Sequence, residues 1–427
     1  MSFCVFIPAT FLRVPLTSIL TIFGILFTTL IFPPLSLITP SGPHPVGVVD
    51  TFIPLPSSAS YSNQSHVNVR VLYPTTSDAT SRFSPPPYLM GPEICDKFME
   101  FGAPPFLKKF GFLLNYWLLV KPYIYEGAPL ASLPSQLPVV VHSHGLGGTA
   151  SLYSAQGTDL ASNGYVVLLV EHSDGSAPLT TNESGEIIHH YKEIYDLRDD
   201  PERGVQWDTP DYVRGRREQL LIRVEEVVAT SEWVKSAFTF TSKAPLPTPL
   251  LPLRGKLDIS NGVHLVGHSF GGATVLSAGG RHGSGLFRSV VAHDPAVDWM
   301  TDDTRYNLLK STKYEGTGGY EGGKEKAKGS ESKGLESLPL SMIYCSDWVK
   351  INFGHSSVTI PGVNNGSMGL PGKSEASYVE KSRHFEFSDN CLIVPNWLGK
   401  ALTFTDGEPE RVAREIAGRT LAFLDKN

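Results

Sequence analysis

The chain has 427 residues and a formal net charge of −6, with 41% hydrophobic and 18% charged residues, an ordinary balance for a globular protein. This charge argues against a nucleic-acid partner. None of the four cysteines forms a C-x-x-C pair, which argues against a zinc or redox motif.

The N-terminal part contains a long uncharged run, residues 14–32. A run of this length can cross a bilayer core, and no small-residue cleavage site follows it. We therefore expect residues 1–41 to be a membrane anchor, with a cleaved signal peptide or a buried helix as alternatives. Arg13 before the run predicts a lumenal or extracellular catalytic domain, whereas cleavage would predict a secreted protein.

Six short apolar segments predict the strands of a mostly parallel sheet. Most are almost continuously apolar, as in strands covered on both faces, and the first alternates apolar and polar positions. The segments are residues 66–73, 137–144, 165–172, 263–269, 288–294 and 338–347.

Helix-like segments follow several of these strands, at residues 151–164, 211–238 and 409–427. Because strands and helices alternate, we predict an α/β fold with one mostly parallel sheet flanked by helices. The catalytic domain is predicted to cover residues 42–427.

Two segments look like insertions into this pattern. Residues 243–255 form a proline-rich connector. Residues 314–334 are rich in Gly, Lys, Glu and Ser and poor in apolar residues, so we expect a disordered loop there.

A serine between glycines follows the strand predicted at 263–269. The stretch Gly267-His268-Ser269-Phe270-Gly271 has the Gly-x-Ser-x-Gly pattern of a nucleophile elbow, a sharp turn that lifts the serine hydroxyl above the sheet. The strand before it and the glycine-rich helix start after it favour Ser269 as a nucleophile. A plain tight turn is the alternative.

A nucleophilic serine needs a histidine base, and that base needs an orienting carboxylate. In folds with this elbow the chain order is Ser, Asp, His. Asp294 ends an apolar strand and is favoured over Asp298 as the acid. His384 is favoured over His355, which lies in a loop-like stretch.

The chemistry also needs backbone N–H groups that receive the oxyanion. Phe270 follows the nucleophile, and Leu146 lies in the glycine-rich stretch 142–148 after an earlier strand, so these two are the predicted donors. His142 and His144 could alternatively form a metal pair, but spacing places no third ligand. We therefore predict neither a metal nor a cofactor.

These residues resemble the plasma and type II intracellular platelet-activating factor acetylhydrolases, a family of α/β-hydrolase phospholipases A2. The resemblance is carried by residues 142–177, 255–274, 287–300 and 384–389, and includes the family's Gly-His-Ser-Phe-Gly-Gly elbow. It implies an α/β-hydrolase fold and the same five site residues. The segment His-Asp-Pro-Ala at the acid departs from the family's usual Leu-Asp-Ala-Trp.

The resemblance implies a serine esterase that removes sn-2 acetyl or short oxidised acyl chains from phospholipids without calcium. The expected partner is phospholipid at a membrane or lipoprotein-like interface. An aromatic, lysine-flanked stretch at residues 98–127 fits an interfacial element, with a core-packing helix as the alternative. A broader carboxylesterase or lipase, an acyltransferase, and a non-catalytic lipid-binding scaffold are the competing functions.

Overall fold

A ten-stranded sheet is the centre of the part of the chain that this computed structural model describes. The described residues are 37–89, 91–102, 108–133, 135–189, 199–200, 204–205, 209–300, 334–351, 361–364 and 368–427.

The strands of the described part include two small antiparallel pairs outside the main sheet, β6 with β7 and β8 with β9. The strands are β1 (Val46–Pro54), β2 (His66–Pro74), β3 (Ile124–Glu126), β4 (Leu137–Ser143), β5 (Val166–Glu171), β6 (Leu179–Thr181), β7 (Ile187–His189), β8 (Asp199–Asp200), β9 (Gly204–Val205), β10 (Leu257–Asp258), β11 (Val263–His268), β12 (Phe287–His293), β13 (Leu340–Cys345) and β14 (Glu375–Val379).

The helices of the described part range from single turns to a rod of 28 residues. They are α1 (Ala79–Arg82), α2 (Pro92–Gly102), α3 (Ser154–Ser162), α4 (Pro210–Ala237), α5 (Phe270–His282), α6 (Ser346–Ile351), α7 (Asn390–Ile393), α8 (Asn396–Ala401) and α9 (Pro409–Leu424). The 3-10 segments include Lys108–Leu119, which is kinked at Phe110, and the short helices Ala150–Tyr153, Thr248–Leu253, Val297–Trp299 and His384–Phe387.

The strand order across the main sheet is β14-β13-β12-β11-β4-β5-β2-β1-β3, and β10 pairs with β4. The run from β14 to β5 is parallel, whereas β2 pairs antiparallel with both β5 and β1. Because parallel strands end at the same edge, the residues after β4, β11, β12 and β13 meet there. That edge carries the candidate site.

Alternate side chains of the central strands enter two separate apolar cores, one on each face of the sheet. On one face Val141 and Leu265 pack with α4 and α5. On the other face Val140 and Val266 pack with α3 and α9. Burial on both faces is the physical reason for the continuous apolar runs in these strands.

The sequence predictions of fold class and principal elements are confirmed. Each of the six predicted strands coincides with one of β2, β4, β5, β11, β12 and β13, and the long predicted helices correspond to α4 and α9. The helix predicted at residues 151–164 begins as the 3-10 turn Ala150–Tyr153 and continues as α3. The proline-rich connector contains a 3-10 helix, Thr248–Leu253.

The predicted membrane anchor is a wrong prediction. Across the described residues, no helix combines the length and the apolar character needed to cross a bilayer. α4 is long enough at 28 residues, but it carries ten charged side chains. Residues 14–32, whose hydropathy alone supported the prediction, lie outside the described residues.

The predicted disordered loop at residues 314–334 lies, apart from Gly334, outside the described residues, and it remains a prediction. The boundary between residues 1–41 and the catalytic domain also remains a prediction.

Truncation of a central core side chain should destabilise the fold strongly. Leu265 lies on β11 and is fully buried. Leu265→Ala should lower the free energy of unfolding by about 2–5 kcal/mol, since it removes buried methyl groups and leaves a cavity. Urea denaturation followed by far-UV circular dichroism measures this. Leu402→Ala, at an exposed position, is the matched control, and equal losses in both variants would contradict the assignment.

Candidate active site

Ser269 occupies a sharp turn between β11 and α5. Its backbone lies at φ 56° and ψ −114°, a conformation that costs a residue with a side chain about 1–3 kcal/mol. Side chains at the flanking glycines would collide with backbone, because a Cβ on Gly267 would overlap the Gly271 carbonyl and one on Gly271 would overlap that of Ser143. The glycines of the motif therefore permit the turn.

Hydrogen bonds around the turn hold this backbone in place. The Ser269 N–H donates to the His293 carbonyl at 2.8 Å, and the Ser269 carbonyl accepts from the N–H groups of Ala296 at 3.0 Å and Ala273 at 3.1 Å. The elbow is thereby tied both to the end of β12 and to the first turn of α5.

Three predicted residues form one hydrogen-bonded chain. Ser269 Oγ lies 3.0 Å from His384 Nε2, and His384 Nδ1 lies 3.0 Å from Asp294 Oδ2. With the imidazole proton on Nδ1, that group donates to Asp294 and Nε2 accepts from the serine hydroxyl. Asp294 is fully buried and Ser269 is 7% exposed, whereas the His384 side chain between them is 22% exposed.

The carboxylate of Asp294 is fixed by the sheet edge. The residue follows β12 at φ 41°, its N–H donates to the Ile343 carbonyl at 3.0 Å, and its Oδ1 accepts the Cys345 N–H at 2.7 Å. One oxygen is thus held by β13 and the other by His384. Burial and the nearby Asp294 carboxylate raise the pKa of the Cys345 thiol, which keeps it protonated and outside any nucleophilic role.

His384 lies in the 3-10 helix His384–Phe387 and contacts two aromatic rings. Trp348 stacks on its imidazole, with ring centroids 4.0 Å apart and planes 8° apart. The centroid of the His268 ring lies 4.6 Å from that of His384, with the planes tilted by 44°. Burial, and then His384, keep the pKa of His268 well below its usual value, so His268 is neutral. Its Nδ1 is hydrogen-bonded to the Tyr153 hydroxyl at 2.8 Å.

The rival residues occupy other places. Asp298 lies in the 3-10 turn Val297–Trp299, whereas it is Asp294 that contacts the histidine. His355 lies outside the described residues.

Two groups of histidines bear on metal binding: the pair His142 and His144, and the cluster around His384. Burial lowers the pKa of His142 to about 4, and its Nε2 is hydrogen-bonded to Gln156 Oε1. Among the described residues, the ligand atoms of His268, Asp294 and His384 lie within 4.8 Å of one another, a spacing that could hold an ion. Both His384 nitrogens, however, already have partners at 3.0 Å. A metal would therefore have to break one link of the chain.

The predicted oxyanion donors flank the serine. Phe270 opens α5, and Leu146 follows Gly145, where an added Cβ would lie 3.3 Å from Ser269 Cβ. Within the described residues, neither the Leu146 nor the Phe270 N–H donates to a protein acceptor. The N–H of Gly147 is engaged, since it donates to the Ser176 carbonyl at 2.9 Å.

Sequence reasoning missed three residues that support the site: Trp348, Tyr153 and Arg223. Trp348 follows the end of β13. Because the ends of parallel strands meet at one edge of the sheet, its place in the sequence could have predicted a position near the site. The Tyr153 hydroxyl is hydrogen-bonded to His268 and also accepts the N–H of Gly145, in the loop after β4, at 2.9 Å. Arg223 gives no local signal, since it is one of many charges on α4.

One known protein family matches a range of the chain that contains most of the candidate site residues. Residues 32–313 match the family described as platelet-activating factor acetylhydrolase, isoform II. The matched range contains Ser269, Asp294 and Leu146, and His384 lies beyond it.

Two curated relatives match this chain with similar sequence identity and over similar lengths. A platelet-activating factor acetylhydrolase from Cavia porcellus is 31% identical over 271 residues, which are 61% of this chain and 55% of that protein. A putative phospholipase A2 from Schizosaccharomyces pombe is 28% identical over 288 residues, 59% of this chain and 61% of that protein. The chain therefore spans less than two thirds of either relative.

A solved structure supports the fold assignment. The ferulic acid esterase from Streptomyces cinnamoneus aligns over 92% of this chain and 93% of its own, with a TM-score of 0.56 and 17% identity. At this identity the likeness shows the fold alone, and it confirms the predicted α/β-hydrolase fold.

Adding one methyl group at the elbow should disrupt it. Gly271→Ala would place a Cβ against the Ser143 carbonyl, so we expect a lower melting temperature. Gly418→Ala is the matched control, because this exposed glycine of α9 has open space around the added Cβ. Alanine there should stabilise the helix by up to about 1 kcal/mol. Thermal denaturation compares the two, and shifts in the same direction would contradict the steric argument.

Proposed function

The chain belongs to the platelet-activating factor acetylhydrolase isoform II family, and from this premise we propose that it is a calcium-independent serine esterase acting on phospholipids. The bond cleaved is the sn-2 ester of an acetyl or short oxidised acyl chain, as in a 1-alkyl-2-acetylglycerophosphocholine esterase. The observation that carries the proposal is the unbroken chain of hydrogen bonds from Ser269 through His384 to Asp294.

The proposed mechanism starts with attack of Ser269 Oγ on the sn-2 carbonyl while His384 Nε2 takes the hydroxyl proton. Asp294 keeps the imidazole oriented and stabilises its protonated form. The N–H groups of Leu146 and Phe270 receive the oxyanion of the tetrahedral intermediate.

Collapse of this intermediate breaks the ester bond and leaves the acyl group on Ser269. The lyso-phospholipid departs as an alcohol after His384 returns the proton to its oxygen. In the second half of the reaction, His384 takes a proton from water, and the resulting hydroxide attacks the acyl-enzyme. The carboxylic acid is then released as His384 returns the proton to the serine oxygen.

An exposed apolar surface supports access to lipid. The 3-10 helix Lys108–Leu119 exposes Phe112 at 59% and Leu119 at 77%, next to the exposed Lys108 and Lys109. Trp117 of the same helix is buried in a core that includes Tyr153. The segment therefore combines an anchored side with an apolar, cation-flanked side that suits a membrane interface. Phe106 lies outside the described residues.

The decisive test is hydrolysis by the full chain of two phosphatidylcholines, one with sn-2 acetyl and one with sn-2 oleoyl, in excess calcium chelator. We expect acetyl-selective hydrolysis, and Ser269→Ala should lower kcat at least about 10³-fold because the nucleophile is lost. Ser277→Ala, at a buried serine within α5, is the matched control and should retain activity.

The alternatives predict other results in the same assay. Equal hydrolysis of both lipids would indicate a broader lipase or carboxylesterase, and acyl transfer to an added alcohol would indicate an acyltransferase. Full activity in Ser269→Ala would overturn the mechanism, and an inactive wild type would favour a lipid-binding scaffold.

A second pair of variants tests the acid. Asp294→Asn should lower kcat about 10³–10⁴-fold, because the amide no longer favours the productive histidine tautomer. Asp298→Asn should change kcat by less than about threefold. Steady-state rates with the acetyl substrate measure both, and a reversed order would assign the acid to Asp298.

A further inference from the structure

A fully buried arginine lies under the loop that carries one predicted oxyanion donor. Arg223 projects from α4 and has no exposed surface. Its guanidinium donates to the His144 carbonyl at 2.6 Å, to Asp174 Oδ2 at 2.8 Å and to Ser176 Oγ at 2.5 Å. Its three partners thus belong to two separate segments, the loop after β4 and the turn after β5.

Two of these contacts, to His144 and to Ser176, bear on the position of Leu146. His144 is two residues before Leu146, and the carbonyl held by Arg223 belongs to the peptide that begins the loop. On the other side, the Ser176 carbonyl accepts the Gly147 N–H at 2.9 Å. Arg223 therefore connects His144 and Ser176, the two residues that hold the backbone on either side of the Leu146 N–H.

The same guanidinium also contacts the second predicted donor. Its central carbon lies 4.5 Å from the centre of the Phe270 ring, a cation–π geometry. Phe270 is fully buried and starts α5, so its ring position is coupled to the helix start that presents its N–H. One side chain thus contacts both the loop that carries Leu146 and the residue Phe270, whose N–H groups are the two predicted donors.

The chemistry of arginine explains why this position holds a charged group. A planar fork of N–H donors can satisfy a carbonyl, a hydroxyl and a carboxylate at once, whereas lysine offers a point charge. Asp174 is itself buried, forms the ion pair at 2.8 Å, and accepts from Ser176 Oγ at 2.6 Å. The buried charge is paired and multiply hydrogen-bonded, which is the condition for burying it without a large penalty.

We propose that Arg223 is a positioning residue that aligns the Leu146 and Phe270 N–H groups to receive the oxyanion. This inference rests on the proposed function. A purely structural arginine would support substrate binding and catalysis alike, whereas a positioning residue for the oxyanion site affects the tetrahedral state alone.

The test compares the full-chain wild type with Arg223→Lys, Ser176→Ala and the control Arg214→Met, which removes an exposed arginine of the same helix. Three quantities are measured for each folded variant. They are kcat/KM for the sn-2 acetyl lipid, the inhibition constant of a trifluoromethyl ketone that forms a tetrahedral adduct with the serine, and that of a diether lipid with no carbonyl.

We expect Arg223→Lys to lower kcat/KM about 10- to 100-fold, less than the roughly 10²–10³-fold loss that follows removal of an oxyanion donor, because both N–H groups remain and are only displaced. Its ketone inhibition constant should rise by the same factor while the diether constant changes by less than about threefold. Ser176→Ala should follow the same pattern with a smaller loss, and it decides the question if Arg223→Lys does not fold. Arg214→Met should match the wild type.

Two results would overturn the positioning role. One is parallel weakening of ketone and diether binding, which indicates general damage to the pocket. The other is wild-type behaviour of folded Arg223→Lys and Ser176→Ala while the wild type is active, which leaves the proposed function intact. Absence of Ser269-dependent hydrolysis in the wild type would overturn both proposals together.

Discussion

The whole site depends on the close approach of α5 to the ends of β4 and β11. The first turn of α5 lies so near the Ser143 carbonyl that Gly271 has no room for a side chain. This contact compresses the connection into a single residue, Ser269, at φ 56°. An unfavourable backbone conformation persists only where its surroundings over-determine it. The hydrogen bond from the Ser269 N–H to the His293 carbonyl, at 2.8 Å, is one such restraint.

The parallel sheet then supplies the partners of the serine. β12 and β13 are the next strands beyond β11, so their ends present Asp294 and the Cys345 N–H at the same edge. The histidine has a different kind of support, because His384 lies in a 3-10 helix outside the sheet. Its ring is instead placed by stacking on Trp348. The proposed acid is thus held by backbone hydrogen bonds, and the proposed base by side-chain packing.

Much of this organisation was predictable, because the signals are local. Continuous apolar runs identify doubly covered strands, and the glycines around Ser269 identify the turn. Asp294 and His384 required one further step, the chain order of residues in this fold. The role of Arg223 could not be found in this way, since its burial arises from packing between elements distant in sequence. The membrane prediction failed because hydropathy over residues 14–32 reports length and polarity alone.

Two buried carboxyl groups lie beside the segments that follow β4 and β5: Glu171 accepts the Ala150 N–H at 2.8 Å, and Glu226 accepts the Ser173 N–H at 3.0 Å. Burial raises the pKa values of Glu171 and Glu226 to about 8, so both carboxyls are largely neutral near pH 7. The ion pair between Arg223 and Asp174 holds the guanidinium in a fixed orientation. In the unfolded chain these glutamates ionise near 4.5. The folded state therefore loses stability as the pH rises from that value to about 8. Neutral carboxyls do not repel the oxyanion of the proposed mechanism, and the same raised pKa values make the fold less stable near pH 8 than near pH 4.5.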